Sequence, residues 1–212
     1  MTTFVRLRGV RGMTITALSG LLAAGAILAA AAPASAQTTV TVKYPVTGST
    51  LLEKVDATAA LGPGTLKSTV DLSNGKLTAS LTLPPASVSF EELNLVPVTA
   101  TTAFINDGAT TGTVNLDTGA VTTTSHITLQ VTSLTVAGLP VPVPNGCESA
   151  HPATVTVNSQ PGFTIVNGGS LSGTYTVPPF AHCGLLTPVL NLTIPGPGNT
   201  ITLKLGKAKV VS

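Results

Sequence analysis

Cys147 and Cys183 are the only thiols in the chain, and the residues beside them are its best candidates for chemistry. Glu148 and His151 follow the first cysteine and His182 precedes the second, so a bridge would draw two imidazoles and a carboxylate together. Neutral imidazole and carboxylate are common zinc and copper ligands. The spacing matches no ligand motif, however, and each histidine stands beside proline-rich loop sequence. The expectation is surface histidines, no metal and no cofactor. With no C-x-x-C pair, the two thiols of an exported chain should form a disulfide. It would close a loop of about 37 residues, worth about 4 kcal/mol in the chain-entropy account.

Other reactive-looking groups lack partners. Glu91 and Glu92 are adjacent carboxylates, which on a strand point to opposite faces and cannot converge on one substrate. Val88 and Phe90 before them, and Leu93 and Leu95 after them, are expected inward, so the phase slips and a bulge or bend is expected there. His126 falls in a polar row with Thr122, Thr124, Thr128 and Gln130, facing solvent. A flat threonine face could bind ice or a polar polymer, but that needs a regular array over many strands, and the sequence shows one row. Gly168–Gly173 has the wrong spacing for a nucleophile elbow and opens a strand rather than a strand-to-helix turn. No glycine-rich loop precedes a helix to cradle phosphate. The chain has no Trp and two tyrosines, Tyr44 and Tyr175, so sugar stacking and aromatic hot spots lack their usual residues. A non-enzymatic protein is expected.

The elements behind these residues begin with a targeting segment over residues 1–36. Arg6, Arg8 and Arg11 form a basic start, Ile15–Ala32 is apolar, and Ala34-Ser35-Ala36 is a small-residue cleavage signal. All three arginines lie in it, which leaves seven lysines against eight acidic residues, a net charge of −1. A nucleic-acid role needs a basic patch that such a chain lacks. Residues 37–212 should form a single all-β domain, secreted or associated with the cell wall, with no transmembrane anchor.

Thr69–Pro85 reads as a complete hairpin. Leu66, Val70 and Leu72 are expected inward, Asn74-Gly75 supplies the turn, and Leu77, Ala79, Leu81 and Leu83 return inward. Lys67, Thr69 and Asp71 are expected outward. Pro84-Pro85 closes the strand. Thr113–Thr124 repeats the pattern around Gly119, and Gly169–Pro179 repeats its second half. Thr38–Tyr44 and Thr50–Ala60 are expected as strands, with Gly62-Pro63-Gly64 as a turn. Gly138–Gly146 alternates proline with valine and should run extended. Leu185–Leu192 reads as a helical turn or a broken strand.

The segments GTLKSTVDLSNGKLTASLTLPP, NLVPVTATTAF, AGLPVPVPNGC and GTYTVPPFAHCGLLTPVLNLTIPGPGNTITLKL resemble a family of secreted actinobacterial all-β proteins with no assigned activity. The resemblance implies export and the disulfide, and it brings no catalytic residue.

The expected fold is an antiparallel two-sheet β-sandwich built from hairpins, with one disulfide; a partly closed β-barrel is the alternative. The expected function is binding of an apolar or lipid-like molecule in the cell envelope. Leu139, Val141, Val143, Phe180, Leu185 and Leu186 should frame the groove, because the disulfide gathers their segments. The alternative is a structural or self-associating surface protein.

Overall fold

The computed structural model describes residues 38–92 and 95–211. The targeting segment and Leu93 lie outside them. Among the described residues, strands account for most of the chain. In order they are β1 (Thr39–Leu52), β2 (Ala57–Asp71), β3 (Lys76–Thr82), β4 (Ala86–Glu92), β5 (Val96–Asn106), β6 (Thr110–Val114) and β7 (Val121–Val136). There follow β8 (Leu139–Val141), β9 (Glu148–Ser149), β10 (Ala153–Ser159), β11 (Gly169–Val177), β12 (Phe180–Ala181), β13 (Gly196–Leu205) and β14 (Lys209–Val210). One short helix, α1 (Thr187–Thr193), lies between β12 and β13.

Eight strands pair antiparallel in the order β10-β11-β13-β1-β2-β3-β6-β7, and β7 pairs back onto β10 to close a barrel. The closing ladder runs from Ala153 opposite Ile127 to Asn158 opposite Thr122. This corrects the sandwich expectation in favour of the barrel. Both folds demand the same inward–outward alternation along each strand and differ only in which edges pair, which alternation does not encode. Closure pairs β10 and β7, which would otherwise be open edges of the ring that a chain so poor in charge could not blunt. The long β7 makes it possible: residues Val121–Thr124 pair with β6, and Ile127–Val136 pair with β5 outside the ring.

The local reasons for closure are visible at three strand glycines. A Cβ at Gly48, Gly112 or Gly173 would collide with the carbonyl oxygen of Thr202, Thr122 or Thr156 respectively. Adjacent strands therefore approach more closely there than any side chain permits. Further corrections come from the turns. Thr50–Ala60 is not one strand, because the chain turns over Glu53–Asp56. Gly62-Pro63-Gly64 is not a turn but an irregularity inside β2, opposite a register shift between Val46 and Gly48 of β1.

The first two hairpins share one turn, wider than the two-residue loop the Asn-Gly pair suggests. The Gly75 N–H donates to Asp71 O and the Gly119 N–H to Asn115 O, each at 2.8 Å. Both glycines have positive φ, 70° and 74°. Asp71 is accordingly buried instead of outward. Its carboxylate accepts from the Ser73 N–H, the Ser73 hydroxyl and the Asn74 amide. Leu72, expected inward, is exposed in the turn. The phase change at Glu91-Glu92 is likewise no bulge, since β4 ends at Glu92 and returns as β5; Leu95 is 82% exposed.

The barrel is apolar inside and hydroxyl-rich outside. Thr156, Thr124, Thr111, Thr78, Thr69 and Thr41 stand side by side across six neighbouring strands. The row seen in the sequence is thus part of a rank, but the rank wraps around a closed barrel instead of lying flat.

Cys147 and Cys183 form a disulfide and are fully buried. They flank β9 and β12, whose pairing of Phe180 with Ser149 brings the two segments together. Asn191 of α1 clamps this pair: its Oδ1 accepts from the Phe180 N–H at 2.7 Å and its Nδ2 donates to Phe180 O at 3.0 Å.

If close strand approach shapes the barrel, Gly173→Ala should cost about 3 kcal/mol, because the clash is with backbone. Gly119→Ala, in open space but at positive φ, should cost only about 1 kcal/mol. Urea unfolding of the two variants checks the order; equal losses would show that the approach at Gly173 can relax freely.

Candidate functional site

The alternation that builds the barrel also fills it unevenly. Inward residues of the eight strands leave a cavity of about 60 Å³ near the end that carries the two shared hairpin turns. Its wall is mainly aliphatic, with Val70, Leu77, Val114, Val121 and Val157 among the contributors. Four small hydroxyl residues interrupt it: Ser68, Thr110, Thr123 and Ser125. Thr110 and Ser125 satisfy each other across β6 and β7, with their oxygens 2.7 Å apart. Ser68 is different. It is 3% exposed, and its Oγ is the one buried side-chain oxygen or nitrogen with no hydrogen-bond partner among the described residues.

The loop Gln160–Gly168, between β10 and β11, folds over this end and contributes Phe163 and Ile165 to the wall. Bonds from Tyr44 and Ala208 tie it to the rest of the chain, and a backbone pair braces it internally. The Tyr44 hydroxyl donates to Ile165 O at 2.7 Å, and the Ala208 N–H donates to Val166 O at 2.9 Å. Thr164 and Gly168 exchange backbone bonds at 2.8–2.9 Å. Gly169 is required beneath it, since a Cβ there would press on Phe163 at 2.8 Å from its Cα. Tyr44 is the only titratable residue in the wall, so the cavity holds no acid–base pair.

The opposite end is closed by a second apolar cluster around the disulfide, and the residues expected to frame a groove lie near it. Val143, Phe180 and Leu186 pack there with Cys147, Cys183, Val177 and Ile194. Val141 packs against the main core. Leu139 and Leu185 point to solvent, 71% and 95% exposed. Phe180 lines a separate cavity of about 50 Å³, and none of the six lines the barrel cavity. Above this cluster a buried polar network joins the strands: the Thr50 hydroxyl lies 2.7 Å from the Tyr175 hydroxyl and donates to Thr200 O. Asn199, 1% exposed, accepts from the Glu53 N–H and donates to Tyr175 O and Gly196 O.

His151 and His182 are both exposed, and His151 Nδ1 lies near the carbonyl of its own neighbour, Pro152. Among the described residues no group of three or more His, Cys, Asp or Glu side chains is placed to hold a metal ion. His126 is exposed and its Nδ1 lies 3.2 Å from the Thr154 hydroxyl.

One signal of the cavity was present in the sequence. Ser68 occupies the inward phase between Leu66 and Val70, a polar residue at a core position. Phe163 and Ile165 carry no comparable signal, because their loop has no period. Comparison of the chain with protein families, curated proteins and solved structures finds no match.

Burial raises the Tyr44 phenol above its ordinary 10.0. It also raises Tyr175, against a smaller opposing effect of the Thr50 hydrogen bond. A raised phenol is stabilising while protonated, so stability should be full below pH 10 and fall as the pH climbs past it. With no tryptophan in the chain, phenolate absorbance near 295 nm reports these residues. It should rise together with the loss of β-sheet circular dichroism, and Tyr44→Phe should flatten the fall in thermal midpoint. Free titration near pH 10 in the folded state would show that the loop does not seal Tyr44.

Proposed function

We propose that this chain is an exported, non-enzymatic protein that takes up a small, neutral, apolar molecule in the cell envelope, inside the barrel. The observation that carries the reading is the aliphatic cavity beneath a loop attached by few bonds. Eight-stranded barrels have interiors that are either just filled by side chains or hold one small ligand. A water needs roughly 10–15 Å³, so about 60 Å³ corresponds to about four such bodies, or an organic molecule of about four to six non-hydrogen atoms. A long acyl chain is too large for it, which narrows the lipid-like class to small molecules. A wall without charged groups favours a neutral ligand, since an ion there would be left uncompensated. The disulfide suits an oxidising compartment.

A second reading, self-association, is favoured by the exposed Leu95, Leu139, Leu185 and Leu192. Sedimentation velocity separates it from the first: assembly that grows with concentration and is lost on Leu185→Asp with Leu192→Asp supports it.

For the leading reading, protein secreted by its own host is denatured in a sealed vial and the headspace analysed by gas chromatography and mass spectrometry. A small neutral organic molecule at close to one per chain is expected. Val157→Phe, which fills the cavity, should abolish its recovery while changing stability by about 1 kcal/mol or less. Recovery of nothing above background from the wild-type protein would contradict the reading.

A further inference from the structure

Ser68 sits in the C-terminal part of β2, opposite Ala79 of β3 and Val42 of β1, in a wall built mainly of aliphatic side chains. A buried hydroxyl without a partner is costly, and the large majority of such groups in folded proteins are satisfied. Two of the three other hydroxyl residues of the wall, and its tyrosine, are already engaged. The Thr110 and Ser125 hydroxyls bond each other, and the Tyr44 hydroxyl is spent on holding the loop. Alanine or valine at position 68 would complete the wall with no unpartnered buried side-chain oxygen or nitrogen among the described residues. A serine here leaves one unpartnered hydrogen-bonding group on a mainly apolar space.

From this we infer that Ser68 is the polar anchor of the cavity, and that the ligand is a small neutral molecule carrying one hydrogen-bonding oxygen, an alcohol, ketone or aldehyde, on an apolar body. The inference rests on the reading of the barrel as a binding cavity and adds the ligand class to it. The Ser68 hydroxyl donates to a carbonyl oxygen, or donates to or accepts from a hydroxyl. A carboxylate is excluded, because no cation in the wall would compensate its burial. A pure hydrocarbon is disfavoured, because it would fill the space and leave Ser68 unsatisfied. A single anchor on an apolar wall fixes the orientation of such a ligand while its body contributes the affinity.

Two probes of the same shape isolate the anchor: cyclopentanone, which accepts a hydrogen bond, and methylenecyclopentane, which does not. Each is titrated into the wild-type protein and into Ser68→Ala, following the methyl resonances of Val114 and Val157 by NMR. Ser68→Ala removes one oxygen and closes no space, so both proteins should fold. The ratio of ketone to hydrocarbon affinity should fall about tenfold in Ser68→Ala. A fall of less than threefold, with both probes still shifting the cavity methyls, would overturn the anchor while leaving the cavity as a binding site. No shift with either probe in either protein would overturn both, the space then serving water alone.

Discussion

The pairing of β7 with β10 is the interaction on which everything else depends. Six residue pairs, from Ala153–Ile127 to Asn158–Thr122, convert a run of hairpins into a ring. Without them β10 and β7 would be free edges, and the inward faces of the eight strands would need a second sheet to cover them. With them, the faces cover each other. Ile127, Val155 and Val157 join the same buried cluster as Val42, Tyr44 and Leu203 from across the ring. The ladder is reinforced outside by side chains, Thr122 with Asn158 and Thr124 with Thr156, which lock its register on the solvent face.

Closure also has a geometric consequence. A ring of eight strands has a nearly fixed interior width, so the side chains that point inward must fill it or leave space. At the disulfide end Phe180, Leu190 and Ile194 pack in from outside the ring, and a separate cavity of about 50 Å³ remains beside Phe180 and Ile194. At the other end small inward residues, Ser68, Ala79, Thr110, Thr123 and Ser125, stand among the larger aliphatic ones and leave space between them. Phe163 and Ile165 of the loop take up part of the deficit, and the remainder is the cavity.

Much of the architecture was legible residue by residue. Leu77 and Ala79 are buried as the alternation requires, and the Asp71–Gly75 and Asn115–Gly119 turns confirm that the repeated pattern makes repeated structure. The disulfide between Cys147 and Cys183 followed from thiol count and context. Partner choice did not. Alternation says which way a side chain points and is silent on the strand beside it, so barrel and sandwich remained indistinguishable. Phase also fails at strand ends, where Asp71 turned inward because its carboxylate has three donors waiting in the loop. The gathering of Val143, Phe180 and Leu186 around the bridge was legible from the two cysteines; of the barrel cavity only Ser68, a polar residue in an inward phase, was legible, and the loop that covers it is a tertiary fact.

The central claim is that the closed barrel holds a space that small apolar bodies can enter. Diffraction from crystals pressurised with xenon tests it most directly. A xenon peak inside the ring, within contact of Val114, Val157 and Phe163, is the expected result. Well-ordered crystals showing side chains packed through that volume and no xenon there would contradict it.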